Sequence, residues 1–247
     1  MKAGLRRLAR RLPPRTRSKL HRIAAGRGLR RRVQPVRWGN LRRVEPRARH
    51  WGSERGTPVD RHYIDAFFRE HASAITGRVL EVRDPRYASS LGNGVTSVDI
   101  VDIDPRNDEA TIIVDLSDPG SLPAGRFDCA IVPQTLVYVR DPFTAAANLW
   151  QSLAPGGTLL ISSPAICRLD SVFASEDRWH LTPAGLQAVM DQSASGAAEI
   201  RVTGRGNVLV AVAFLHGIAE EELSTAELAF DDPLFPIVVT AFARKSG

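Results

Sequence analysis

Cysteine is scarce among these 247 residues, and the two present, Cys129 and Cys167, stand far apart in apolar stretches. Their separation excludes a cysteine metal motif and leaves small buried thiols in a reducing compartment as the expectation. No apolar run reaches the ~18 residues that a membrane-spanning helix requires. Nor does an apolar core of about 7–15 residues follow the basic N-terminal stretch, so no signal peptide is expected. Acid is nearly missing from the first 50 residues. Of the 33 Lys and Arg, 18 lie there with only Glu45 of the 27 acids, so this stretch carries +17 and the remainder −11. The net charge of +6 thus belongs to one end, and the whole chain does not read as a basic nucleic-acid binder. No internal repeat is visible.

What is present divides at about residue 50. Leu5, Leu8, Leu12, Leu20 and Ile23 are spaced loosely along one helical face, broken by Pro13-Pro14 and surrounded by arginine. Such a segment buries too little apolar surface to offset its ordering entropy. Residues 1–50 are therefore expected to be a poorly ordered extension. Its charge suits peripheral contact with an anionic membrane or another polyanion, at ~1 kcal/mol per basic residue near an acidic bilayer. A solvated tail is the alternative.

The full chain is 43% hydrophobic and 24% charged, an ordinary globular mixture, and its periodic pattern begins after residue 50. Helical spacing of Tyr63, Ile64, Phe67, Phe68 and His71 predicts a helix over Asp60–Ala74. Strands are expected at Arg78–Val82, within Val95–Ile103, at Thr111–Val114, Phe127–Val132 and Thr158–Ser162. Later strands are expected at Glu199–Thr203, Val208–Phe214 and Ile237–Ala243. A helix is expected over Thr144–Leu153, closed by a Pro155-Gly156-Gly157 turn. Strands alternating with helices predict a single Rossmann-like α/β domain, with a doubly wound, mostly parallel sheet of about seven strands. Ligands in such folds lie beyond the carboxyl ends of the strands, where strand order reverses. An acid there, such as Asp102 or Asp104, suits the two hydroxyls of a nucleotide ribose. Capping the following helix is its other use.

The runs Arg78-Val79-Leu80-Glu81-Val82, Val101-Asp102-Ile103-Asp104-Pro105 and Val114-Asp115-Leu116 resemble class I S-adenosylmethionine (SAM) methyltransferases in order and spacing. So do Arg126 to Leu136 and Leu153-Ala154-Pro155-Gly156-Gly157-Thr158-Leu159-Leu160. The Phe-Asp strand, a Gln-x-Leu helix start and Leu-x-Pro-Gly-Gly are the most specific elements. This resemblance covers roughly residues 78–163. The flanks, Arg55 to Ile64, Arg178 to Pro183 and Gly206 to Leu209, are similar to methyltransferase-like proteins encoded beside bacterial glycosyltransferases.

The resemblance implies SAM as cofactor. Asp104 or Asp102 would hold the ribose, Asp115 and Leu116 would flank the adenine, and Gln134 and Thr135 would face the sulfonium. Glu81, Arg83, Asp84 and Tyr87 would form the loop beneath the methionyl part, and Thr57 to Tyr63 a partial lid. The family's Glu-x-Gly-x-Gly-x-Gly places Arg83, Pro85 and Tyr87 at its three glycine positions. Val137-Tyr138 replaces a common Glu-His pair. His180, His62 and Tyr138 are the candidate catalytic groups, with a structural histidine as the alternative for each imidazole. The resemblance implies methylation of a hydroxyl on a saccharide or glycan-related acceptor, by a cytoplasmic protein peripheral to the inner membrane face. A degenerate module that partners a glycan-assembly enzyme is the other reading. No Asn-Pro-Pro-Tyr-like motif or aromatic-interleaved basic groove supports nucleic-acid methylation.

Overall fold

The computed structural model describes residues 39–247, so the amphipathic leucines and most of the basic extension lie outside the described residues. One compact unit runs Glu45–Gly247, and a 3₁₀ turn at Gly39–Leu41 precedes it. No described helix is long and apolar enough to cross a membrane.

Seven strands form one sheet: β1 (Gly77–Val82), β2 (Val95–Asp102), β3 (Ile112–Ile113), β4 (Phe127–Pro133), β5 (Leu153–Pro164), β6 (Ala197–Arg205) and β7 (Val238–Lys245). Their order is β3-β2-β1-β4-β5-β7-β6. Only β7 runs against its neighbours, pairing antiparallel with both β5 and β6. Helix α1 (Val59–Glu70) precedes β1, and α2 (Arg86–Leu91), α3 (Pro142–Ser152), α4 (Pro183–Ser193), α5 (Val208–His216) and α6 (Thr225–Ala229) lie between strands.

The near-continuous apolar runs of β1 and β4 follow from burial on both faces. Successive side chains alternate, so Leu80, Ala130 and Val132 enter one core with Leu149, Trp150 and Leu186. Val79, Cys129 and Ile131 enter the other with Ile64, Phe68 and Phe214. Fully burying a Phe such as Phe68 contributes roughly 1.5–3 kcal/mol. Strand order reverses between β1 and β4, which fixes the switch point that the sequence reading required.

Four local expectations are corrected. Val208–Phe214 is the helix α5, not a strand. The Asn207 side chain caps it by accepting from Val210 N at 3.0 Å, and Gly217 closes it with φ 66°. Pro155-Gly156-Gly157 lies within β5, where the ladder to β4 shifts register and Gly156 takes φ 76°. The Gln-x-Leu segment starts no helix. Gln134 turns the chain at φ 49°, and α3 begins only at Pro142, capped by Asp141. Thr111–Val114 shrinks to a two-residue strand at the sheet edge.

Candidate functional site

A cleft of about 970 Å³ opens at the carboxyl ends of β1, β2 and β4. All ten residues assigned to the cofactor line it: Glu81, Arg83, Asp84, Tyr87, Asp102, Asp104, Asp115, Leu116, Gln134 and Thr135. Among the described residues, the three non-glycine residues with positive φ are Trp51 (56°), Arg83 (77°) and Gln134 (49°). All three line this cleft. Left-handed backbone costs a side-chain-bearing residue about 1–2 kcal/mol, so the fold concentrates strain here.

Arg83 stands where β1 ends. Its amide donates to Val101 O at 3.0 Å, and its carbonyl accepts from Asn107 Nδ2 at 2.7 Å. The backbone thus makes the turn that glycine would favour, while the side chain is exposed and makes no hydrogen bond. Glu81 is fully buried at the floor and accepts from Tyr87 N and Ala88 N, each at 2.8 Å. A carboxylate beneath the first amides of a helix holds that turn in place. Burial pushes Glu81 up to about 7 despite those hydrogen bonds. Tyr87 is turned away. Its ring packs 4.1 Å from that of Phe68, and its hydroxyl donates to Asp65 at 2.7 Å. Both residues therefore position the loop from below it.

Asp102 is the last residue of β2 and is partly buried. It accepts from Asp104 N at 3.0 Å and from Asn107 Nδ2 at 2.7 Å. Asp104 instead forms a two-point pair with its neighbour Arg106, at 2.9 and 2.8 Å, which holds it down at about 2. Burial works to raise Asp115, but hydrogen bonds from Ser117 and Arg140 outweigh it and lower its pKa. Asp84 accepts only from Arg86 N, at 3.2 Å. Thr135 Oγ1 donates to Pro133 O at 3.0 Å, and Gln134 N donates to Ser162 O at 2.9 Å.

The structure separates the three catalytic candidates. His180 and Tyr138 line the cleft, whereas His62 lines a different cavity of about 290 Å³ between α1 and the β6–β7 edge. There His62 Nδ1 lies 2.8 Å from Glu220. His180 Nε2 lies 2.9 Å from Asp177 Oδ1, an arrangement that puts the proton on Nε2 and leaves Nδ1 as the basic atom. Burial, reinforced by Asp170 and Asp177, raises Tyr138 far above the ordinary phenol range, so its hydroxyl stays protonated at neutral pH.

Sequence reasoning missed a further group. Arg168 follows β5, and its guanidinium carbon lies 3.7 Å from the centre of the Trp51 ring. Asp60, the second residue of α1, leaves a buried Oδ1 without a partner. Nothing in the local sequence brings these residues together. They share one cleft because the end of β5 and the start of α1 lie on the same side of the sheet.

No family model matches the chain, and no curated protein matches it. Solved structures similar to it include a SAM-dependent methyltransferase from Archaeoglobus fulgidus (16% identity, 75% of this chain, 94% of that chain, TM-score 0.49). Another is a SAM-dependent methyltransferase from Mesorhizobium loti (16%, 76%, 98%, TM-score 0.49). A third is the N-methyltransferase NodS from Bradyrhizobium japonicum, in complex with S-adenosyl-L-homocysteine (16%, 79%, 91%, TM-score 0.49).

Proposed function

We propose that this chain is a SAM-dependent methyltransferase that modifies a hydroxyl of a saccharide or glycan-related small acceptor. One observation carries the reading: the ten positions assigned to the cofactor converge on one open cleft at the switch point of the sheet. Its volume suits a ligand of this size. The residues present fit the cofactor. Asp102 offers the ribose hydroxyls a carboxylate at the end of β2, and Asp115 and Leu116 offer the adenine an acceptor and an apolar wall. Asp104 is the poorer ribose candidate because Arg106 already occupies its carboxylate.

When bound, SAM supplies an electrophilic methyl group on sulfur. The chain's own work is positioning and proton removal. His180 takes the acceptor proton at Nδ1, and Asp177 holds the imidazole in that tautomer. Tyr138 serves as a donor rather than a base. A partner-binding module without cofactor would have Arg83 or Tyr87 filling the cleft. Arg83 is exposed and the Tyr87 hydroxyl is taken by Asp65, which favours the enzyme. The saccharide reading rests on the flanking sequence resemblance. The basic extension is assigned a peripheral contact with anionic lipid at the inner membrane face.

Ultraviolet cross-linking of tritiated SAM to the full chain, followed by peptide mapping, tests the cofactor site. Label on peptides containing residues 81–87, 102–116 or 133–135, displaced by S-adenosylhomocysteine, is expected. Label elsewhere, or label that the competitor does not displace, contradicts the reading.

A further inference from the structure

Arg168 lines the cleft and is held from two sides. Its Nη1 donates to Leu169 O at 2.6 Å, and its guanidinium carbon lies over the Trp51 ring, 3.7 Å from the ring centre. Trp51 is itself anchored, with Nε1 donating to Cys167 Sγ at 3.1 Å and its backbone in the left-handed region. The remaining donors, Nε and Nη2, are buried and have no partner. They are the adjacent pair on one edge of the guanidinium, the edge that receives two oxygens of a carboxylate or phosphate in parallel. Leaving two charged donors buried and unmet is costly, and native proteins seldom do so without a use for them.

Four other cations of the cleft are committed, whereas Arg61 and Arg83 also line it but have no buried, unmet donor. Arg106 pairs with Asp104, Arg140 with Asp115 and Asp118, and Arg86 with Asp65. Arg178 donates to the carbonyls of Tyr138 and Glu176. Asp60 lines the same cleft and opposes an anion, but burial raises its pKa and lessens its charge.

From this arrangement we infer that Arg168, stacked on Trp51, is the receptor for an anionic group of the methyl acceptor, a carboxylate or a phosphate. The acceptor is then a small acidic molecule rather than a neutral sugar. This assignment rests on the methyltransferase reading, while the anion site itself can be tested apart from it.

The test follows tryptophan fluorescence of the full chain during titration with sodium acetate or sodium phosphate, at constant ionic strength with chloride as the balance. S-adenosylhomocysteine is titrated in parallel into the same proteins. At least one anion is expected to saturate in the millimolar range, acetate identifying a carboxylate and phosphate a phosphoryl group. Arg168→Gln weakens that anion at least tenfold. Arg168→Lys, which keeps the charge and loses the two-point edge, weakens it several-fold and serves if the glutamine variant does not fold. Affinity for S-adenosylhomocysteine stays within twofold throughout. Absence of saturation by both anions overturns the proposal, as does an Arg168→Gln titration matching the parent. An equal loss of S-adenosylhomocysteine also overturns it, because the edge would then hold the cofactor's own carboxylate. Arg168-dependent anion binding in a chain that ignores S-adenosylhomocysteine keeps the anion site and removes the methyltransferase reading beneath it.

Discussion

At the β1–β2 end of the cleft, Glu81, Asp84, Asp102, Asp104 and Asp115 each already accept a hydrogen bond. Beyond β5, two Arg168 donors and one Asp60 oxygen have no partner at all. The first end is stiffened before any ligand arrives, with the turn after β1 locked in left-handed backbone at Arg83. The second end is organised around unmet donors. Preorganisation marks the part of a site that repeats the same contact, and unmet buried polarity marks the part whose partner comes from outside.

This contrast can be broken in order of expected effect. Glu81→Ala leaves two buried amides of α2 without an acceptor and is expected to lower stability by about 3 kcal/mol in urea melts. A loss below ~0.5 kcal/mol would mean that the floor of the first end is not preorganised by Glu81. The same residue gives a pH signature. Folded Glu81 holds its proton up to about 7 against an ordinary value of 4.5, so the folded state binds more protons between those limits. Stability therefore falls as pH rises from about 4.5 to 7, and Glu81→Gln flattens that slope. An unchanged slope in the variant contradicts the assignment.

Next in size is the acid proposed to hold the ribose. Asp102→Asn is expected to weaken S-adenosylhomocysteine about tenfold, roughly 1.4 kcal/mol. Asp104→Ala is expected to stay within twofold, because its carboxylate is spent on Arg106. The reverse pattern would move the ribose to Asp104. Smallest is Arg83→Gly, which relieves left-handed strain at an exposed side chain and should stabilise the chain by up to about 1 kcal/mol. Destabilisation by that variant would show that the arginine side chain, not the backbone turn, is what the loop needs.

The strands were legible where burial on both faces writes itself as branched apolar runs, as in Val79-Leu80 and Cys129 to Val132. The same signal misled at Val208-Leu209-Val210, because β-branched residues favour strands without forbidding helices. Asn207 and Gly217, the caps at either end, outweigh that preference and were the readable clue. Helix α4 was announced in the same way. Thr182 accepts from Gly185 N at 3.1 Å with Pro183 in the first turn. The ten residues assigned to the cofactor were legible as one group because they follow strand ends in order, and all of them line one cleft. The Trp51–Arg168 stack was not, since 117 positions separate two residues whose contact depends on how β5 meets the loop before α1. His62 illustrates the opposite error: a histidine near the expected lid, on a helix face that points to another cavity.

Isothermal titration of S-adenosylhomocysteine into the full chain tests the central claim most directly. One site with micromolar affinity is the result this account predicts. No heat at millimolar ligand, from a chain that still melts cooperatively, would contradict it and leave the fold without the enzyme.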